Sequence, residues 1–255
     1  MASRRRPVNV DGTRLDIWTV KPFQNLYSAF GAVQSIAVHI RPLGLITGAA
    51  GVGKTFAASV YAHNTPNTIV VTVPPRDVLT PRLLLDEIAV AIGLEPAGYR
   101  TKSAAFLGIA DQLADNRPYL IVDEADRLRP SNADMLRELA ELSGAPLCLL
   151  GCPFLEAVLA RVPATHHRIG YRHHARPCDI NDIRGALRGR KLSDGRQLQD
   201  SVIDAIWDVS RGNLRHVQSL IQVMAAAVDD RTGLAKDITP DFVRQINDQT
   251  QRAAA

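Results

Sequence analysis

The chain has 255 residues, 46% of them hydrophobic, enough to bury the core of one mid-sized domain with a small appendage. Thirty Lys and Arg against 26 Asp and Glu leave a net charge of +4, which permits contact with nucleic acid without specifying it. No apolar run approaches the ~18 residues of a membrane span, no apolar stretch follows the Met-Ala-Ser-Arg-Arg-Arg-Pro start, and three cysteines make no disulfide framework, so no membrane association and a reducing cytoplasm are expected.

Residues 1–21 read as an extended or disordered segment with a basic run at Arg4, Arg5 and Arg6. Phe23, Leu26, Tyr27, Phe30, Val33, Ile36, Ala37 and Ile40 recur at helical spacing, with Pro22 suited to the first turn. Leu43–Thr47 is a short apolar run that reads as a buried strand, and Phe56–Ala62 reads as a helix. Between them stands Gly48-Ala49-Ala50-Gly51-Val52-Gly53-Lys54-Thr55, which fits G-x-x-x-x-G-K-[ST]. Strand, glycine loop and helix aim a helix N-terminus at phosphates, and the glycines let the main chain approach them closely. The expected nucleotide-binding set is Gly48, Ala49, Ala50, Gly51, Val52, Gly53, Lys54, Thr55 and Phe56. Lys54 reaches the β/γ-phosphates of ATP and the Thr55 hydroxyl binds Mg2+.

Thr68–Val73 is a β-branched run and a second strand, stopped by Pro74 and Pro75. Thr80 and Pro81 open a helix to about Ile92, and Ser103 is the expected cap of a helix reaching Leu113. Tyr119-Leu120-Ile121-Val122-Asp123-Glu124 is an apolar strand ending in two carboxylates, the Walker B pattern. Asp123 is expected to hold the Mg2+ shell and Glu124 to orient and deprotonate the attacking water. The letters Asp-Glu-Ala-Asp at 123–126 do not make a helicase, which needs two tandem RecA-like domains where this chain has one phosphate loop.

Ser131–Ser143 reads as a helix, Leu147–Gly151 as a fourth strand and Arg168–Tyr171 as a short fifth. Strands alternating with helices predict a parallel sheet with helices on both faces. From about Pro177 only helices are expected: Ile180–Leu187, Leu198–Val209, Asn213–Val228 and Thr239–Ile246. The predicted division is therefore an N-terminal segment over 1–21, an α/β nucleotide domain over 22–176, and a helical lid with a flexible C-terminal tail over 177–255.

The order of phosphate loop, second strand, Walker B, polar-ended fourth strand, arginines and helical lid resembles the AAA+ ATPases. That resemblance implies a five-stranded parallel P-loop sheet flanked by helices, followed by a small all-helical lid. Arg211-Gly212-Asn213-Leu214-Arg215 looks like the sensor 2 signature, in which Arg215 folds back onto the γ-phosphate. Within AAA+ proteins the chain looks most like the transposition ATPases typified by the phage Mu B protein and the TniB- and TnsC-type regulators. The likeness covers about residues 15–230. It rests on Gly-Leu-Ile-Thr-Gly-x-x-Gly-Val-Gly-Lys-Thr, Tyr-Leu-Ile-Val-Asp-Glu-Ala-Asp-Arg-Leu and Leu-Leu-Gly-Cys-Pro-Phe-Leu. Two features depart from it. The sensor 1 position is Cys152, a weak hydrogen-bonding partner for the lytic water, which implies slow hydrolysis. The 40 residues before the core also leave little room for an N-terminal DNA-binding domain like that of the phage Mu protein.

Residues 161–196 carry nine Lys or Arg against three Asp, a local charge of +6. The resemblance implies an arginine finger there, with Arg161 and Arg168 the candidates by position, while a solvated basic face is the plain alternative. His166, His167, His173 and His174 crowd the same stretch near Cys178, but their spacing matches no standard zinc pattern. DNA contact is implied at Arg76, Thr80 and Arg82 and at Arg100, Thr101 and Lys102, gripping phosphates rather than bases. The implied function is an ATP- and Mg2+-dependent ATPase, stimulated by DNA or a partner. It would assemble as a ring or helical filament on double-stranded DNA and deliver that DNA to a transposase or integrase, with hydrolysis driving disassembly. The alternatives are a helicase-loader or replication-initiation ATPase, or a P-loop switch acting on a protein partner without DNA.

Overall fold

Five parallel strands form one sheet in the order β2-β3-β4-β1-β5, where β1 is Leu43–Gly48, β2 Thr68–Thr72, β3 Tyr119–Asp123, β4 Leu147–Gly151 and β5 Ile169–Ala175. The computed structural model describes residues 20–39, 42–189, 197–228 and 237–253. The N-terminal basic run, Ile40, the basic residues Arg190, Lys191 and Arg196, and the last two residues of the C-terminal tail lie outside them.

Every residue of β1, β3 and β4 is buried, as expected of central parallel strands covered on both faces. The edge strand β5 instead alternates in exposure through Arg172, His173 and His174. That polar alternation hides the second half of the strand from an apolar pattern, and β5 extends four residues past the expected end at Tyr171.

The connecting helices are α1 Lys21–His39, α2 Lys54–Asn64, α3 Pro81–Ala91, α4 Lys102–Asn116, α5 Pro130–Ser143, α6 Phe154–Ala160 and α7 Pro163–His167. As expected, Thr80 caps α3, its hydroxyl accepting the Leu83 N–H at 3.0 Å with Pro81 in the first turn. The cap of α4 is Thr101, not Ser103. Its extended backbone lets the hydroxyl accept the Ala104 N–H at 3.1 Å, and Ser103 falls inside the first turn. Helices α6 and α7 were not anticipated by the sequence pattern.

The chain separates into two compact units. The larger holds Leu26–Ala49 and Lys54–Ala175. Its sheet is braced by a ladder of rings, Tyr27 and Phe30 on Tyr61 and Tyr61 edge-on to Tyr119, with centroids 5.1, 5.5 and 5.9 Å apart. The Tyr61 hydroxyl donates to Gln34 at 2.7 Å, which satisfies its polar end.

The smaller unit groups residues 20–25 and Ala50–Gly53 with the described residues from Arg176 onward. Its helices are α8 Ile180–Leu187, α9 Asp200–Ser210, α10 Leu214–Val228 and α11 Pro240–Ala253. A reciprocal capping box between Asp179 and Asp182 starts α8, and Arg176 binds the buried Asp182 carboxylate at 2.8 Å. Arg184 on α8 makes a two-pronged pair with Asp204 on α9, both bonds 2.8 Å, and Arg188 binds Asp200 at 2.7 Å. Three cations of the basic run, Arg176, Arg184 and Arg188, thus brace α8 within the smaller unit.

Candidate nucleotide site

Strand β1 runs buried to Gly48, the chain emerges at Ala49 and Ala50, and α2 begins at Lys54. Gly51 at φ +81° and Gly53 at φ +94° occupy the left-handed region, which side chains with a Cβ adopt at a cost. Gly51 is constrained a second time, because an added Cβ would overlap the Asn213 amide. That amide donates to the Ala50 carbonyl at 3.3 Å, and the Arg215 N–H reaches the Gly51 carbonyl at 3.4 Å. The Gly-Asn-Leu-Arg signature and loop residues 50–53 are therefore joined within the smaller unit. Val52 is buried and the Arg215 side chain is exposed.

In the larger unit, the Lys54 ammonium donates to the carbonyls of Gly48 at 2.7 Å and Ala49 at 3.0 Å. Burial lowers its pKa below the ordinary 10.5, while Asp123, then Asp126, Cys152 and Glu124, pull it back up. A partly desolvated cation of this kind gains when a polyanion arrives. Thr55 is exposed in the first turn of α2 and Phe56 is half exposed beside it.

Asp123 ends β3 with 2% of its surface exposed. Its Oδ1 accepts the Glu124 N–H at 2.8 Å, whereas Oδ2 is buried with no hydrogen-bond partner among the described residues. An orphaned carboxylate oxygen is costly unless a cation meets it. A hard oxygen donor of this type, with the Thr55 hydroxyl, fits Mg2+. Glu124 sits in the left-handed region at φ +56° and pairs loosely with Arg127 at 3.6 Å.

Two residues organise this end of the sheet in roles the sequence pattern does not signal, Asp126 and Arg76, the latter expected only as a DNA contact. Asp126 accepts the Cys152 N–H at 2.8 Å; its only signal was the fourth letter of Asp-Glu-Ala-Asp. Arg76 grips the carbonyls of Asp126 at 2.9 Å and of Arg127 and Leu128 at 3.3 Å, and so pins the turn after Walker B. Cys152, which follows β4, is partly exposed.

The residues expected at DNA are placed unevenly. Thr80 and Thr101 are helix caps. The Arg82 guanidinium holds Asp86 at 2.8 Å and the carbonyls of Tyr99 and Pro96 at 2.8 and 3.0 Å. Arg100 and Lys102 are exposed. Of the finger candidates, Arg168 binds Glu141 at 2.6 Å, and Arg161 lies exposed after α6 with no carboxylate partner among the described residues. The four histidines assemble no metal site: among the described residues no three His, Cys, Asp or Glu side chains come together to hold an ion. His174 instead meets the buried Thr47 hydroxyl at 3.1 Å.

Residues 39–159 match the family model described as AAA domain. The chain is 36% identical over 110 residues to the Mu-like prophage FluMu DNA transposition protein B of Haemophilus influenzae, covering 43% of this chain and 37% of that protein. It is 32% identical over 137 residues to the ATP-dependent target DNA activator B of Escherichia phage Mu, covering 53% of this chain and 38% of that one. The chain thus spans well under half the length of these two relatives. Among solved structures, the Aeropyrum pernix ORC2 protein superposes with a TM-score of 0.63 at 15% identity, over 88% of this chain and 66% of that one. The Thermotoga maritima RuvB branch migration motor does so with a TM-score of 0.58 at 18% identity, over 95% and 72%. The fold is the P-loop AAA fold, and the sequence resembles the transposition ATPases. Among the described residues no helix is long and apolar enough to cross a membrane.

Proposed function

We propose that this AAA-fold chain, similar over about half of its length to phage transposition B proteins, is an ATPase. It assembles on double-stranded DNA without sequence preference and hands that DNA to a transposase. Support comes above all from one coincidence. A chain resembling ATP-dependent target DNA activators carries a buried, partnerless Asp123 oxygen beside Glu124, in the same unit as the lysine of a phosphate loop.

In this reading the main chain of 48–53 cradles the triphosphate, Lys54 neutralises its β/γ oxygens, and Thr55 and Asp123 hold Mg2+. The metal supplies charge stabilisation at the transferring phosphoryl group. Glu124 takes the proton of the attacking water, Cys152 occupies the sensor 1 position and Arg215 senses the γ-phosphate. Arg161 or Arg168 of a second copy supplies the finger. A thiol at sensor 1 makes hydrolysis slow, so assemblies persist until ATP is consumed.

Electron microscopy with a slowly hydrolysed ATP analogue, with and without a long duplex, tests the whole reading. Rings or filaments that require both ligands are expected. Glu124→Gln should trap DNA-bound assemblies and Lys54→Ala should abolish nucleotide binding. Particles indifferent to DNA would overturn the DNA reading in favour of a nucleotide switch acting on a protein.

A further inference from the structure

Arg76, Arg129 and Arg161 line one open cavity of about 260 Å³ together with Leu128, Pro130, Phe154 and Val158. The lining contains three guanidiniums and no carboxylate, and none of the three is ion-paired to an acid among the described residues. This sets them apart from Arg82, Arg137, Arg168, Arg176, Arg184 and Arg188, each of which has a carboxylate partner. Three like charges facing one cavity repel one another, and the arrangement is relieved by an anion from outside.

The cavity also has fixed geometry. Arg76 is anchored through three main-chain carbonyls and lies over the half-exposed Phe154 ring at 5.8 Å. Arg129 reaches the Arg76 carbonyl at 3.4 Å and immediately precedes α5, whose first turn has Pro130 and no side-chain cap. With Nε and Nη2 spent on its three carbonyls, Arg76 keeps Nη1 for a phosphate oxygen, and a guanidinium already held loses little entropy on binding one.

We propose that Arg76, Arg129 and Arg161 form a phosphate site for the DNA backbone, distinct from the nucleotide loop. The inference rests on the DNA reading above, retains Arg76 of the expected contacts and adds Arg129 and Arg161. The Arg82 guanidinium is neutralised by Asp86, whereas no carboxylate among the described residues neutralises Arg76, Arg129 or Arg161. Assigning Arg161 here leaves Arg168 as the finger. Its exposed pair with Glu141 is of the weak surface kind that a triphosphate can displace.

The test is fluorescence-anisotropy titration of unrelated duplexes in the presence of the ATP analogue across a salt series. Arg129→Gln and Arg161→Gln should each weaken binding equally on all duplexes and lower the log–log salt slope by about one. Arg129→Lys should restore the slope, which a folding defect would not allow, and Arg244→Gln on α11 should leave it unchanged. If the wild type binds DNA with a steep slope and both glutamine variants match it, the cavity is no DNA site and the function stands. If their slope is unchanged but mixing Arg129→Gln with Glu124→Gln restores lost ATPase, the cavity takes the nucleotide of a second copy and this inference falls. A wild type that binds no DNA overturns both the inference and the DNA reading.

Discussion

The Asp126 carboxylate accepts the main-chain N–H of Cys152 at 2.8 Å, tying the turn after β3 to the turn after β4. Gly151 makes the bond possible, because a Cβ there would stand 2.7 Å from the same oxygen and 3.1 Å from the Asp126 nitrogen. The turn that carries Asp126 is held in place by Arg76, and Arg127 anchors it to β2's exit through the Val73 carbonyl at 2.8 Å. The catalytic candidate Glu124 and the sensor candidate Cys152 are therefore fixed by one small network. One end of that network, Arg76, also lines the proposed DNA phosphate site.

Removing the Asp126 acceptor separates position from presence. Asp126→Ala leaves the Cys152 N–H without its partner and should cost about 1–3 kcal/mol of stability. It should also lower kcat much more than it raises KM, because Cys152 then drifts from its place. Asp126→Asn retains an acceptor oxygen and should recover most of both losses. Denaturant melts and steady-state ATPase assays read the two effects. Equal kcat in wild type and Asp126→Ala would show that the link has no part in the chemistry.

Lys54 sets function against stability. Burial holds its pKa down, so the unfolded chain binds that proton more tightly than the folded one, and stability rises with pH through the window just below 10.5. At neutral pH the charged ammonium opposes folding. Lys54→Met should therefore hold or raise the thermal midpoint of the nucleotide-free protein. The wild type should gain about 2.7 kcal/mol from ATP and Mg2+ at a hundredfold excess over Kd, and the variant should gain nothing. Thermal melts with and without nucleotide measure both. A lower midpoint in Lys54→Met would contradict the burial argument.

What was legible in the sequence follows from how each element is buried. Strands β1, β3 and β4 are covered on both faces, so they read as unbroken apolar runs with correct ends to within a residue. Edge strand β5 mixes Arg172, His173 and His174 into its pattern and read short. Helices α6 and α7, seven and five residues long, are too brief for a 3.6-residue period to declare itself. The phosphate loop and Walker B were plain because their chemistry is local in the chain. The grip of Arg76 was not, since its partners are main-chain carbonyls some fifty residues away that carry no side-chain signature.

The helical unit has an acid-sensitive latch at the start of α8. Asp179 titrates below its ordinary 3.8, chiefly because it accepts the Asp182 N–H and also because Arg176 lies near. A depressed carboxylate contributes stability that is present above its unfolded pKa and is lost as pH falls through the folded one. Asp179→Ala should cost about 1 kcal/mol at pH 7. The gap between variant and wild type should close below pH 3.8, as chemical denaturation at both pH values would show. A gap of the same size in acid would mean that the cap acts without its charge.

The three cysteines divide by environment, and their reactivity should divide with them. Burial pushes the thiols of Cys148 and Cys178 up to about 12, so neither offers thiolate near neutral pH. Cys152 is the partly exposed one, at the end of the strand whose neighbour carries Asp123 and Glu124. Iodoacetamide on the native protein should therefore modify Cys152 alone, and all three after denaturation, as peptide mass spectrometry would read. ATP with Mg2+ should slow the labelling of Cys152 if its thiol faces the lytic water. Labelling at an unchanged rate in saturating nucleotide would put the thiol outside the reach of the γ-phosphate. The sensor role would then have to pass to another residue.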